Sequence, residues 1–212
     1  MTNSADTSDT DLLRQMRAGT AAAFQALYRR HQGPLFRFAL LRCGSRDTAA
    51  DVVQEVFMAL ISGQLKFDPL RGQLQHFLFG VARNVLLKHE APRLRLLGLA
   101  PTGEADEDDT GSDGEIASEE AEPLERLLSG EMAEQVRQAL ARLAPHYRDV
   151  LILYEMHELS YLEIAEICQV EIGTVRSRLS RGRAALARRL DPQRDGGAPA
   201  AACAGNTKRQ TL

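Results

Sequence analysis

Arg176 and Ser180, like Ser177 and Arg181, stand four positions apart, a spacing that puts the four along one side of a helix. Arg can donate two hydrogen bonds to the O6/N7 edge of guanine, and Ser can bond a base or a phosphate. Arg178, Arg183, Arg188 and Arg189 complete a run from Thr174 to Leu190 that contains no acid, and such cations suit phosphate neutralisation. Just upstream, Ser160-Tyr-Leu-Glu163 is a capping box ahead of Ile164, Ala165 and Ile167. Gly173 marks a tight turn, and Thr174 opens the Arg-rich helix. A short capped helix, a turn and a basic second helix make a helix-turn-helix, whose second helix enters the major groove of DNA. An Arg-rich helix on its own reads more readily as a solvated basic face; the capped partner helix and the turn shift the reading to DNA.

The elements that must position these residues are helical. In 212 residues, 44% are hydrophobic, 26% are charged and only 5% are aromatic, with no Trp. Ala, Leu and Arg dominate, which leans toward helix and away from sandwiches and barrels. Apolar residues recur at helical spacing in Leu12, Leu13 and Met16, ended by Gly19. They recur from Phe24 to Leu41, with Thr20 as cap and Pro34 as a kink or new start. A third set is Val52, Val53, Val56, Phe57, Leu60 and Ile61. After a Gly63–Gly72 loop, a fourth helix runs from about Gln73 to His89, with Phe77, Leu78, Val81, Val85 and Leu86 inward. In the second half Met132, Val136, Leu140 and Leu143 line one helix, and Pro145 opens the next, with Val150, Leu151 and Leu153. The expected fold is therefore all-α. It has two small helical domains at 10–95 and 126–190, and a disordered tail at 191–212. Between the domains, residues 96–125 carry acids such as Glu104, Asp106, Asp113, Glu119 and Glu125 and no Lys or Arg, which reads as a flexible acidic linker.

The net charge of −3 points away from nucleic acid, but it averages over these segregated runs. No apolar run approaches the ~20 residues of a membrane span, and the polar Met1–Asp11 segment lacks the order of a signal peptide. Cys43, Cys168 and Cys203 form no close pair, and a reduced, cytoplasmic setting is expected. His31, His76, His89, His146 and His157 show no metal-ligand spacing. No phosphate loop, nucleophile elbow or paired catalytic carboxylates stand out, so no catalytic residue, metal or cofactor is expected.

Three segments, Leu143–Leu151 (LAPHYRDVL), Leu159–Ala165 (LSYLEIA) and Gly173–Leu179 (GTVRSRL), closely resemble region four of extracytoplasmic-function sigma factors of bacterial RNA polymerase. Ala50–Phe57 (ADVVQEVF) resembles the core-binding helix of their region two, and Phe77–Asn84 (FLFGVARN) the helix that handles the promoter minus-ten element. The matches fall in family order on either side of the acidic segment and together cover about 10–190.

The resemblance implies a protein that binds core polymerase and directs promoter-specific initiation by recognising and melting DNA, without being an enzyme. Asp51, Val52, Gln54, Glu55 and Phe57 would meet the clamp helices of the largest subunit, where acids and amides can pair with Arg; region four would meet the flap of the second-largest. Lys66, Phe67, Arg71, Phe77, Arg83, Asn84 and Lys88 would serve the minus-ten element, since an unstacked base needs a pocket, a stacking surface and cations. Phe67 has a plainer reading as packing for the loop. Thr174, Arg176, Ser177, Arg178, Ser180, Arg181 and Arg183 would read minus-thirty-five. An anti-sigma factor is a further partner of many such proteins. The chain departs from the family where Phe77 replaces the usual Trp and Lys88 a frequent acid, and where Asp47-Thr-Ala-Ala-Asp51 thins an acidic cluster. Two rival readings are a sigma-like decoy for an anti-sigma factor, which needs no basic recognition helix, and a stand-alone helix-turn-helix regulator, which needs neither Val52–Phe57 nor Phe77–Asn84.

Overall fold

A computed structural model describes residues 7–96 and 131–190, and among them every regular element is a helix. The expected acidic linker, except Leu96, and the expected tail lie outside the described residues. Helix α1 (Asp9–Arg17) starts at Ser8, whose hydroxyl accepts from the Asp11 N–H, and it buries Leu12 and Leu13. Helix α2 (Ala21–Cys43) follows. Thr20 sits at its N-cap position without a side-chain cap bond. Pro34 neither breaks nor restarts α2, because the fully buried Leu27, Leu35 and Phe38 continue one face across it. Gly44, at φ 72°, ends α2 in the left-handed conformation that favours glycine. Ser45 then caps α3 (Arg46–Ile61).

The 63–72 loop holds a single 3-10 turn at Pro69–Arg71, where the Asp68 carboxylate accepts from the Leu70 N–H. Helix α4 (Leu74–Leu96) runs past the expected end at His89 and through Pro92. Its inward face is Leu74, Leu78, Phe79, Ala82, Val85 and Leu86; Phe77 and Val81, expected inside, are only half-buried.

The second half begins with α5 (Glu131–Ala141) and α6 (Pro145–Leu151), which Pro145 opens as expected. Beyond α6 the chain widens into a π-helical turn at Ile152–Met156, which periodicity alone did not predict. Helices α7 (Tyr161–Cys168) and α8 (Ile172–Leu190) form the helix-turn-helix. The capping box is present: the Ser160 hydroxyl accepts from the Glu163 N–H, and the Ser160 N–H donates to the Glu163 carboxylate at 2.8 Å. The left-handed residue of the turn is Gln169, at φ 56°, rather than Gly173, which lies inside α8.

Gly182 has a different duty. A Cβ built on it would stand 3.1 Å from Leu151 Cδ1 and 3.3 Å from Tyr147 Cβ, so α8 approaches α6 at the distance a bare glycine allows. Gly182→Val is expected to cost about 1–3 kcal/mol by overpacking. Gly182→Ala should come out milder, because alanine regains about 1 kcal/mol of helix propensity. Urea melts of the two variants, followed by far-UV circular dichroism, check the order.

The two halves pack on each other: α2 and α4 of the first meet α5, α6, the π-turn and α7 of the second. Phe38 and Phe79, with ring centres 5.4 Å apart, receive the His157 ring at 6.3 and 4.6 Å.

Candidate nucleic-acid interface

On α8 the buried side is Val175, Leu179, Gly182 and Ala185. The opposite side exposes Arg176, Ser177, Ser180 and Arg181, the strip that spacing alone placed together. Thr174 and Arg178 are half-buried at its margins. The Ser177 hydroxyl donates to the Thr174 carbonyl at 3.0 Å, so it is held close to its own backbone. Arg183 is exposed but engaged: it donates to the Glu155 carboxylate at 2.9 and 2.7 Å and covers the Tyr154 ring at 5.0 Å. The Glu155 hydrogen bonds hold its pKa above the usual arginine value. Arg176 lies over Tyr161 at 6.0 Å, and the Tyr154 and Tyr161 rings pack 5.4 Å apart at a tilt of 40°, so two aromatic rings support the base of the basic strip.

In the first half, Lys66, Arg71, Asn84 and Lys88 are exposed. Phe67 and Phe77 are half-buried and pack on each other at 5.5 Å, so Phe67 pins the loop to α4. Leu70 projects instead: it is 95% exposed at the tip of the capped 3-10 turn, between Lys66 and Arg71. Sequence reasoning passed over Leu70, because a lone leucine in a loop carries no signal until the turn lifts it out. Arg83 is not displayed. Its side chain is 16% exposed, and its Nε donates to Asp149 of the second half at 2.8 Å.

On α3 the exposed side carries Asp51, Gln54 and Glu55, with Met58 and Ile61 continuing the same surface. Val52 and Phe57, expected to touch a partner, are corrected by the structure: they are 0% and 2% exposed. Phe57 sits 4.8 Å from Tyr28 and 6.2 Å from Phe24, so these two residues anchor α3 to the core.

Between the halves lies a cluster that sequence reasoning missed. The fully buried Arg42 pairs with Asp149 and with Glu90, one of whose oxygens is 2.9 Å away. Burial opposes its charge, but the two carboxylates outweigh that and raise its pKa. Arg148 donates to the carbonyls of Arg42 at 2.5 Å and Leu143 at 2.7 Å, and to that of Ala141. Burial and the nearby Arg42 charge push the Arg148 pKa down to about 10, which leaves it protonated at neutral pH. Burial, with Arg37 nearby, pushes His157 down to about 4, so that ring is neutral between the two phenylalanines. Burial raises Cys168 to about 11, which makes it an inert core thiol. His31, also buried, contacts the Asp9 carboxylate at 2.9 Å. Among the described residues no group of His, Cys, Asp and Glu could hold a metal ion, and no helix is long and apolar enough to cross a membrane.

Residues 27–90 match the family model for sigma-70 region 2, and residues 133–186 match that for sigma-70, region 4. The chain belongs to the sigma-70 family. It is 30% identical to the RNA polymerase sigma-H factor of Pseudomonas aeruginosa over 192 residues, 87% of this chain and 94% of that protein. It is 26% identical to the extracytoplasmic-function sigma factor SigW of Bacillus subtilis over 183 residues, 84% and 94% of the two. Among solved structures it resembles the sigma factor RpoE of Bartonella quintana, crystallised with the anti-sigma factor NepR. That match has 25% identity and a TM-score of 0.57, over 80% of this chain and 98% of that one. This sigma factor is thus a promoter-recognising transcription initiation factor of the extracytoplasmic-function group, with both DNA-handling regions in family order.

Proposed function

We propose that this sigma factor divides its work among three surfaces. The exposed acids and amide of α3 (Asp51, Gln54 and Glu55) bind the clamp helices of the largest polymerase subunit, and region four meets the flap of the second-largest. The loop and α4 (Lys66, Phe67, Arg71, Phe77, Asn84 and Lys88, with Arg83 when uncovered) handle the minus-ten element. There the exposed Leu70 adds an apolar tip among cations, suited to wedging beside an unstacked base. The outer strip of α8 reads minus-thirty-five. On this reading the two modules are 10–95 and 126–190. The protein performs no catalysis of its own and acts in the cytoplasm, where the polymerase is, and an anti-sigma factor is a partner, as for the RpoE relative.

The observation that carries the reading is the α8 strip: four polar or basic side chains exposed in line, directly opposite residues buried at 0–8%. That arrangement fixes the helix in one orientation and offers one face to a groove. The test is co-elution with core polymerase, followed by run-off transcription from genomic fragments to find the promoters. Asp51→Ala with Glu55→Ala should abolish stoichiometric co-elution. Arg176→Ala should co-elute normally and weaken binding to an identified promoter by roughly 5- to 150-fold, the 1–3 kcal/mol of one bidentate base contact. Co-elution that survives the α3 changes, or promoter binding that survives Arg176→Ala, would refute the corresponding assignment.

A further inference from the structure

The second half of the chain lays carboxylates over the α4 face of the first. Asp149 accepts from Arg83 at 2.8 Å and also pairs with the buried Arg42. Glu163 stands 3.8 Å from His76. A Cβ on Gly72, at the end of the 63–72 loop, would lie 3.9 Å from a Glu166 carboxylate oxygen, and one on Gly80 3.7 Å from the Ile167 carbonyl. Three acids of region four therefore occupy the side of α4 and its loop where DNA phosphates would approach the first half. The outer strip of α8 and the Asp51, Gln54 and Glu55 side of α3 remain exposed in the same arrangement.

We propose that region four is an intramolecular competitor for region two. Closed through the Asp149 cluster, the chain hides Arg83 behind Asp149 and sets Glu163 and Glu166 beside His76 and Gly72, while the polymerase-facing side of α3 and the groove-facing side of α8 stay available. The proposal rests on the reading of α4 as a DNA-facing helix. Geometry requires that the closed form open during promoter binding. Elements centred near minus-ten and minus-thirty-five are about 25 base pairs, or roughly 85 Å of duplex, apart. In the closed chain α7 of region four lies directly on α4. The sequence between Leu96 and Glu131, extended at about 3.3 Å per residue, spans roughly 110 Å, enough for the two regions to separate.

The cluster suits a device that must release. Burying Arg42 and Asp149 costs solvation that their pairing roughly returns, so a well-made buried pair adds little net free energy while fixing a unique geometry. Loss of one partner tips the balance, because the other is left buried and uncompensated. After opening, Arg42 keeps Glu90 of its own region, and Arg83 is freed for phosphate.

The test uses the full-length chain and two variants that open it by different means. Asp149→Asn removes the shared charge. Gly80→Leu drives a branched side chain against the α7 backbone, adds no charge, and replaces glycine in a helix by a better helix former. Small-angle scattering gives the radius of gyration. Fluorescence anisotropy gives affinity for a labelled random-sequence 12-nucleotide single strand. Both variants should keep wild-type helicity, have a larger radius and bind the single strand about fivefold or more tightly, as a hidden site does when its competent fraction rises. An unchanged radius in the folded Gly80→Leu chain overturns the closure. Expansion without tighter binding overturns the masking of Arg83. If Arg83→Ala in the Gly80→Leu background abolishes the gain, Arg83 is the residue uncovered; if the gain persists, the masking belongs to other residues and the proposal fails. Co-elution with core polymerase is a separate readout, so failure of the α3 assignment does not imitate failure of the latch.

Discussion

Phe38→Ala is expected to lower the unfolding free energy by about 3–5 kcal/mol, the range for truncating a buried aromatic residue to alanine. Phe38 is fully buried on α2, packed against Phe79 of α4 and His157 of the second half. Removing its ring empties space on both sides of the contact between the halves, and neighbours on three helices would have to collapse to refill it. Rigid helices fixed elsewhere collapse poorly, which places this site at the costly end of the range. Phe38→Leu keeps most of the volume and should cost clearly less. Urea titrations followed by circular dichroism decide it; a loss below 1 kcal/mol for the alanine variant would mean that Phe38 is not packed between the halves.

Arg42→Ala is expected to destabilise the closed arrangement of the two halves by a similar amount, about 3–5 kcal/mol, by another route. Its side chain is 0% exposed and pairs with Asp149, 1% exposed, and Glu90, 23% exposed. Truncation strands the buried Asp149 carboxylate with Arg83 as its remaining partner. The double variant Arg42→Met with Asp149→Leu removes both buried charges and should recover most of the loss, because a matched apolar pair avoids the desolvation cost. A double-mutant cycle then gives the coupling directly. A double variant as unstable as Arg42→Ala alone would show that the loss came from the arginine's packing rather than from an orphaned charge.

The helices were legible wherever a local rule governed them. Val52, Val53 and Val56 announced α3, Ser160 and Glu163 announced α7, and Pro145 announced the start of α6. Sequence reasoning failed where tertiary packing overrode a local preference. Pro34 sits inside an unbroken α2 because Leu27 and His31 before it and Leu35 and Phe38 after it are buried on one face. The left-handed residue of the turn is Gln169 and not Gly173, which was expected to mark it; the Gln169 N–H bonds the Ala165 carbonyl and closes α7. The π-turn at Ile152–Met156 has no residue signature of its own. On the functional surfaces, the α8 strip followed from spacing within one helix. The division of α3 into exposed Asp51, Gln54 and Glu55 and buried Val52 and Phe57 needed the position of α2, because both sets are periodic. The Arg42–Asp149 pair was invisible because its partners lie 107 positions apart and each reads locally as an ordinary charged surface residue.

Because Asp149 serves arginines from the other half of the chain, the two halves are not freely interchangeable parts. A region four transplanted from a relative with a neutral residue at this position would arrive without the acid that Arg42 and Arg83 share, and its defect would surface in region two. A change of charge at position 42, 83 or 149 is therefore expected to call for a compensating change in the opposite half of the chain.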